Sequence, residues 1–298
     1  MDLMHYGRHP IAHDGSAPES TLPTALSRRF VVTSLASGFA LATLPVSAQT
    51  ITTDTQGLVA GEVGIPVADG KIPGYVARPA KAGKHPVILV VQEIFGVHEH
   101  IKDMCRRYAK QGYYAIAPEM FARQGDVSKL TDIQAILSQV VSKVPDAQVT
   151  GDLDAALAFA KASGHANADK AGLVGYCWGG RTAWVYANHN PKLKAAVAYY
   201  GLLEGLKDGN LRTQDPIDFA SNVKVPVLGL YSGIDAFVKQ ETVAKMRGLV
   251  NKGGSGSEIV VFPNVDHGFN ADYRPTYDKA AATYAQKLAN DWLKKHGV

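Results

Sequence analysis

The sequence predicts an α/β protein with a mostly parallel central sheet and helices on both faces. Unbroken apolar runs rich in β-branched residues, such as V-I-L-V-V at 87–91, are typical of strands buried on both sides. Between these runs, apolar residues recur at three- and four-residue spacing, which indicates amphipathic helices. Because strands and helices alternate along the chain, right-handed crossovers within a parallel sheet are expected.

The elements follow one another in the order that this fold requires, after a short lead. Strands are predicted at 87–91, 113–118, 171–176, 194–200, 227–231 and 258–262. Helices are predicted at 99–111, 130–143, 150–162, 180–188 and 277–295. Ligands of such sheets bind outside the carboxyl ends of the strands. The reactive side chains that follow strand ends are therefore the candidates for a functional site.

Composition and charge exclude several classes of protein. The 298 residues are 46% hydrophobic and 19% charged, which is typical of a globular protein. A formal net charge of +4 without a long basic run argues against a nucleic-acid partner. Two cysteines are too few for a disulfide scaffold or a cysteine-rich metal site.

Residues 1–48 are predicted to be a twin-arginine signal peptide. The pattern S-R-R-F-V-V at 27–32 leads into a moderately apolar run, and V-S-A at 46–48 has the small residues that a signal peptidase needs. A membrane anchor is the alternative, but the run is shorter than the ~20 strongly apolar residues that span a bilayer. We expect export to the periplasm or the exterior, without stable membrane insertion, and one domain over 49–298.

Cys177 lies in a glycine-rich turn between a predicted strand and a predicted helix. In G-Y-C-W-G-G at 175–180, glycine at 175 and 179 allows the sharp turn that raises a nucleophile above a sheet. The positive end of the helix dipole favours ionisation of a thiol placed there. The alternative is a small buried cysteine in a glycine turn. Cys105 lies on the apolar stripe of its helix and is predicted to belong to the core.

Partners for a nucleophile follow two later strands. His267 comes shortly after one strand and is the candidate general base, and Asp235 comes shortly after another and is the candidate acid that orients it. The order Cys177, Asp235, His267 is the chain order of α/β-hydrolase triads. Asp266 is a rival to Asp235, but adjacent side chains seldom form the hydrogen bond that a triad requires.

The segment Q-E-I-F-G at 92–96 directly follows the predicted strand at 87–91. Here the backbone N–H of Ile94 can pair with that of Trp178 to form an oxyanion hole. A general hydrolase site does not require Glu93, so a solvated or salt-bridged acid remains an alternative for this residue.

The remaining reactive side chains predict no metal and no organic cofactor. His98 and His100 form an H-x-H pair, but no third ligand has suitable spacing, and catalytic zinc uses three protein ligands. A disulfide between Cys105 and Cys177 stays open, although the helix residue would have to lie within ~7 Å of the turn.

Several motifs together resemble the dienelactone hydrolases, also called carboxymethylenebutenolidases. They are Q-E-I-F-G at 92–96, G-Y-C-W-G-G at 175–180, Y-Y-G at 199–201, the aspartate at 235 and H-G-F at 267–269. The resemblance covers essentially residues 60–298 and implies an α/β-hydrolase fold. It implies the following roles: Cys177 as nucleophile, His267 as base, Asp235 as its orienting acid, Glu93 as a group that contacts the nucleophile and controls its proton when substrate enters, and Tyr200 as a neighbour of the pocket.

The chain departs from this family at its arginines. The family's best-studied branch binds a substrate carboxylate with arginines, one of them shortly after the catalytic histidine. Here G-F-N-A follows His267, and Arg274 is the candidate replacement. Arg123 resembles a family residue and is a second candidate for substrate binding. Hydrolysis is therefore better predicted than the identity of the substrate.

We expect a monomeric hydrolase of a small ester or lactone that works through a thioester acyl-enzyme on Cys177. A non-catalytic periplasmic binding protein on the same scaffold is the main alternative, because a fold does not determine a function. A hydrolase whose natural bond is not an ester is another.

Overall fold

The computed structural model describes residues 52–298, so the predicted signal peptide lies outside the described residues. Eight strands form one sheet in the order β1-β2-β4-β3-β5-β6-β7-β8. They are β1 Leu58–Val67, β2 Gly70–Pro79, β3 His85–Val91, β4 Tyr114–Pro118, β5 Ala166–Tyr176, β6 Ala195–Tyr199, β7 Val227–Ser232 and β8 Glu258–Phe262. The six strands β4, β3, β5, β6, β7 and β8, in their order across the sheet, are parallel to their neighbours. Strand β2 pairs antiparallel with both β1 and β4.

Five longer helices pack on this sheet. They are α1 Glu99–Lys110, α2 Asp146–Ala162, α3 Trp178–His189, α4 Gln240–Lys252 and α5 Lys279–Lys295. Shorter helical turns lie at Val127–Lys129, Ile133–Ala135, Ile136–Val140, Val141–Lys143 and Pro216–Phe219. Across residues 52–298, no helix has the length and apolar character needed to cross a bilayer.

The central strands explain why the sheet is covered on both faces. Residues 87–91 of β3 are completely buried. Successive side chains of a strand point to opposite faces, so burial of all five requires helices above and below. This confirms the predicted parallel α/β architecture, and β8 has the bounds that its sequence predicts.

Three parts of the fold differ from the prediction. The residues expected to be a short lead form the β1–β2 hairpin, which the prediction missed because glycine and proline interrupt both strands and only one residue of β1 is fully buried. Helix α4 was not predicted. The helix predicted at 130–143 is instead a series of short turns with α, π and 3₁₀ geometry.

Candidate active site

The backbone at Cys177 makes the sharp turn that the glycines predict. Cys177 has φ 55° and ψ −110°, a conformation that residues with a side chain rarely adopt. A Cβ atom at Gly175 would lie 1.9 Å from the carbonyl oxygen of Gly179. At Gly179 it would lie 2.4 Å from the carbonyl oxygen of Val91. Glycine is therefore required at both positions, and it lets the start of α3 rest directly on the end of β3.

The imidazole of His267 bridges the sulfur and a carboxylate. Its Nε2 lies 3.2 Å from Sγ of Cys177, and its Nδ1 lies 2.8 Å from Oδ2 of Asp235. The other carboxylate oxygen accepts the backbone N–H groups of Phe237 at 2.8 Å and Val238 at 3.1 Å. These bonds hold Asp235 in place, and Asp235 in turn orients the imidazole. The carboxyl ends of β5, β7 and β8 thus bring together three side chains that are far apart in sequence.

The rival acid has a different role. Oδ1 of Asp266 accepts the backbone N–H of His267 at 2.6 Å, so it supports the loop, whereas Asp235 orients the ring. Aromatic rings hold the imidazole on two further sides: the ring centroids of Tyr200 and Phe237 lie 5.0 and 5.1 Å from that of His267. Tyr200 is thus a direct neighbour of the imidazole.

The charges of the site keep a proton on His267. Burial alone would lower the pKa of His267, but the carboxylate of Asp235 and the hydrogen bonds to Asp235 and Cys177 together raise the pKa to about 10. At neutral pH the imidazole is therefore protonated, and it can give this proton to a group that leaves the site.

The backbone N–H groups of Ile94 and Trp178 are the predicted oxyanion hole. Trp178 is the first residue of α3, so its N–H has no acceptor within the helix. Ile94 lies in the turn after β3, between Glu93 and Gly96, which form an isolated bridge. Gly179 brings the start of α3, where Trp178 lies, against Val91 and Gln92 at the end of β3, two residues before Ile94.

Glu93 is completely buried, and its carboxylate binds groups from the loop after His267. Its Oε1 accepts Nη2 of Arg274 at 2.9 Å, and its Oε2 accepts the hydroxyl of Tyr273. Nε of Arg274 also donates to that hydroxyl at 3.1 Å. Burial would raise the pKa of Glu93, but the Arg274 guanidinium, together with His98 and His100, holds the pKa well below its usual range. Glu93 and Arg274 therefore form a buried ion pair.

The contacts of Glu93 differ from the one that the family resemblance implies for the enzyme with substrate, and that role stays a prediction. The resemblance implies that Glu93 contacts the nucleophile, but among the described residues its side chain binds Tyr273 and Arg274 and forms no hydrogen bond with Cys177. The reason is electrostatic, because a buried carboxylate is stabilised far more by a guanidinium than by a thiol.

The two candidate substrate-binding arginines are both engaged with carboxylates. Arg274 binds Glu93, as described above. Arg123 makes two bonds of 2.6 Å to Asp69, in the β1–β2 turn, and bonds of 2.8 and 3.0 Å to Asp152 in α2. Arg123 therefore ties the hairpin to a helix and lies outside the group of side chains around Cys177.

Sequence reasoning missed His98 and Tyr273 as parts of this site. Nε2 of His98 lies 3.6 Å from Oε2 of Glu93, and the two rings of His98 and Tyr273 meet edge to face at 4.9 Å. His98 precedes α1 as its N-cap, whereas His100 lies within the helix. The rings of His98 and His100 are stacked, and Nδ1 of His100 lies 3.0 Å from Asp272.

The same residues do not form a metal site. Within the part of the chain that the structure describes, no three His, Cys, Asp or Glu side chains are grouped so that they could hold a metal ion. Both cysteine thiols are free, so the disulfide that the sequence left open is not formed.

The sequence matches a family model and several known proteins. The family model described as "Dienelactone hydrolase family" matches residues 72–297. A Methylorubrum extorquens protein, provisionally named carboxymethylenebutenolidase, is 55% identical over 96% of this chain and 99% of its own length. A protein with the same provisional name from Escherichia coli strain K12 is 46% identical over 90% of this chain and 98% of its own length.

A solved structure shows the same relationship in three dimensions. The crystal structure of a provisionally named dienelactone hydrolase from Klebsiella pneumoniae has 48% sequence identity and a TM-score of 0.77. The match covers 80% of this chain and 99% of that chain. The chain therefore belongs to the dienelactone hydrolase family and is a hydrolase with the α/β-hydrolase fold.

Proposed function

We propose that this chain hydrolyses a small ester or lactone with Cys177, His267 and Asp235 as its catalytic triad. The observation that carries the proposal is the position of the imidazole, 3.2 Å from the sulfur on one side and 2.8 Å from the carboxylate on the other. A nucleophile, a base and an orienting acid in such contact can divide acyl transfer into two easier steps. The names of the relatives support a lactone or ester as the bond that is cleaved.

In the first step, the Cys177 thiolate attacks the carbonyl carbon and the C=O electron pair moves to the oxygen. The N–H groups of Ile94 and Trp178 stabilise that oxyanion. When the C–O bond breaks, His267 gives its proton to the leaving alkoxide, and a thioester remains on Cys177. In the second step, water gives a proton to His267 and attacks the thioester, which releases the acid and the thiolate. Water and these residues are all that the steps use.

The role of Glu93 in this scheme follows from the family resemblance. Control of the nucleophile's proton by Glu93 requires the carboxylate to leave Arg274 and turn towards Cys177. The resting structure holds Glu93 in the ion pair, so this role depends on what the substrate does to Arg274.

Turnover of p-nitrophenyl acetate tests the proposal. We expect the wild type to hydrolyse this ester, Cys177→Ala to lose turnover, and the matched variant Cys105→Ala to keep it. Absence of turnover in the wild type, with tight binding of small esters in calorimetry, would instead support the periplasmic binding protein on a hydrolase scaffold.

We also propose that the chain is a monomer that is exported by the twin-arginine route and cleaved after Ala48. The expected result is a periplasmic protein whose first residue is Gln49. Changing both Arg28 and Arg29 to Lys should retain the full-length chain in the cytoplasm. Cell fractionation tests the export, and N-terminal sequencing tests the cleavage site. The molar mass in solution tests whether the chain is a monomer.

A further inference from the structure

Hydrolysis of the thioester requires a water molecule beside the imidazole of His267. We propose that the hydroxyl of Tyr200 holds this water and that Tyr200 is thereby a further catalytic residue of the second step. Because the step belongs to the proposed hydrolysis, this role rests on that function. Three features of Tyr200 support it: the contact of its ring with the base, its unpaired hydroxyl and its strained backbone.

The ring of Tyr200 packs against the base of the triad. Its centroid lies 5.0 Å from that of the His267 imidazole, with 60° between the two planes, and 5.5 Å from that of Phe269. Tyr200 is completely buried, so its ring is held in these contacts by close packing. The hydroxyl lies on the axis of the ring, and its position relative to His267 is therefore fixed.

The hydroxyl of Tyr200 is buried and has no hydrogen-bond partner among the described residues. Burial raises its pKa well above the usual value, and the charge of Glu93 raises the pKa further, so the hydroxyl is neutral at pH 7. The charge of Cys177 acts in the same direction, so the hydroxyl lies within electrostatic range of the sulfur. A neutral phenol can donate one hydrogen bond and accept another, and a buried one is stabilised when they are made. A water molecule can supply both.

The fold holds Tyr200 in a backbone conformation that residues with a side chain rarely adopt. Tyr200 has φ 38°, and apart from glycines Cys177 is the other residue of 52–298 with a positive φ. The N–H of Tyr200 donates to the carbonyl oxygen of Leu230 at 2.8 Å, in β7. A Cβ atom at Gly201 would lie 2.2 Å from the backbone nitrogen of Arg181, so the turn also rests on the start of α3. Strain that neighbouring elements maintain in this way is typical of functional sites.

The water held by Tyr200 takes part in a balanced second step. Its oxygen attacks the thioester carbon, one of its protons passes to Nε2 of His267, and the C=O electron pair moves to the oxyanion. That pair returns as the C–S bond breaks, which releases the acid and the Cys177 thiolate. Tyr200 keeps its own proton and orients the water. Acylation needs no water, so loss of the hydroxyl should slow the second step and spare the first.

Tyr199 offers a matched comparison, because it is also completely buried and its hydroxyl also has no partner among the described residues. It is the last residue of β6 and pairs in register with Tyr176 of β5, and the two rings lie 4.9 Å apart. Burial raises the pKa of Tyr199 as well, and the group that adds to this effect is Tyr108 of α1. The hydroxyl of Tyr199 therefore lies near α1, whereas that of Tyr200 responds to the charges of the active site.

The state of Cys177 during turnover of p-nitrophenyl acetate tests this role. At saturating ester, an acid quench followed by mass spectrometry gives the ratio of acetylated to unmodified Cys177. This ratio equals the rate constant of acylation divided by that of deacylation. In Tyr200→Phe it should rise about tenfold, as expected when the deacylating water loses one hydrogen bond. Because Tyr200→Phe keeps the ring and removes a hydroxyl without a protein partner, its melting temperature should match that of the wild type.

Tyr199→Phe is the control and should leave the ratio unchanged. An unchanged or lower ratio in folded Tyr200→Phe, or an equal rise in both variants, would overturn the role of Tyr200. These results would leave hydrolysis by the triad intact. Absence of p-nitrophenol release by the wild type would instead contradict the proposed hydrolysis itself, so the two failures are distinguishable.

Discussion

The two cysteines of this chain are both buried, but they differ in solvent exposure, in backbone position and in the polar groups beside the sulfur. Cys105 is 0% exposed on the apolar face of α1, and Cys177 is 8% exposed at the strand-to-helix turn. Burial raises the pKa of Cys105, because water is excluded and the neighbouring charges do not compensate. Cys177 instead has the imidazole of His267 within 3.2 Å.

Because both residues are cysteines, their different surroundings follow from where the backbone places each thiol. Cys177 owes its position to a backbone with φ 55° and to glycines that allow two elements to touch. Cys105 has ordinary helical geometry and contributes a small apolar group to the core. Substitutions around Cys177 and at Cys105 should therefore have separable effects on activity and on stability.

Replacement of the base should have the largest effect. In His267→Gln the sulfur loses the group that holds its proton and the leaving group loses its acid, so kcat/KM should fall by roughly 10³-fold. The measurement is the hydrolysis of p-nitrophenyl acetate. His189→Gln, at the exposed end of α3, is the matched control and should change kcat/KM less than about twofold. Equal losses in both variants would contradict the role of His267.

Displacement of the turn should have the next largest effect. In Gly179→Ala the new Cβ would meet the carbonyl oxygens of Val91 and Gln92 at 2.4 and 2.6 Å, so α3 must move away from β3. Misplacement of the nucleophile and the oxyanion hole should lower kcat by roughly 10²-fold. In the matched variant Gly248→Ala, on α4, the new Cβ has no atom within 4 Å, and this change should stabilise the protein by about 1 kcal/mol. Full activity of Gly179→Ala would show that the close approach is unnecessary.

Replacement of the core cysteine should affect stability and leave activity intact. Cys105→Ser places a hydroxyl in an apolar environment and should lower the free energy of unfolding by about 1–3 kcal/mol. The midpoint of urea unfolding measures this loss, while kcat for p-nitrophenyl acetate should remain within about twofold of wild type. A large loss of kcat in folded Cys105→Ser would contradict the purely structural role of Cys105.

A further expected effect is a pH dependence of stability. Because the folded state raises the pKa of His267 from 6.5 to about 10, the folded state holds more protons than the unfolded state between these values. The stability that comes from this group is complete below pH 6.5 and is lost as the pH rises towards 10. The free energy of unfolding should therefore fall less steeply over this range in His267→Gln than in wild type. Parallel curves for the two proteins would contradict the raised pKa.

The parts of the molecule that could be predicted are those whose structure is determined by a pattern of neighbouring residues. Strand β3 is an uninterrupted apolar run, and the turn at Cys177 has glycine where a side chain would collide. Asp235 and His267 each follow an apolar strand closely, so the parallel topology alone brought them to the same edge of the sheet.

The parts that were not predicted depend on contacts between distant segments. Glu93 and Arg274 are 181 positions apart, and no local pattern indicates that they form an ion pair. The contact of Arg123 with Asp69 was not predictable either, because Asp69 lies in the β1–β2 hairpin, which no local pattern indicates. Helix α4 did carry a usable signal, because the residues buried on it recur at helical spacing: Thr242, Val243, Met246 and Val250.

Alkylation of the two thiols within one sample tests the central claim most directly. The native protein is treated with iodoacetamide near neutral pH, quenched at intervals, and digested so that peptide masses report the modification of each cysteine separately. The account predicts that Cys177 is alkylated well before Cys105, and that this advantage is lost in His267→Gln. Faster alkylation of Cys105, or equal rates at both thiols in the folded wild type, would contradict the assignment of Cys177 as the nucleophile.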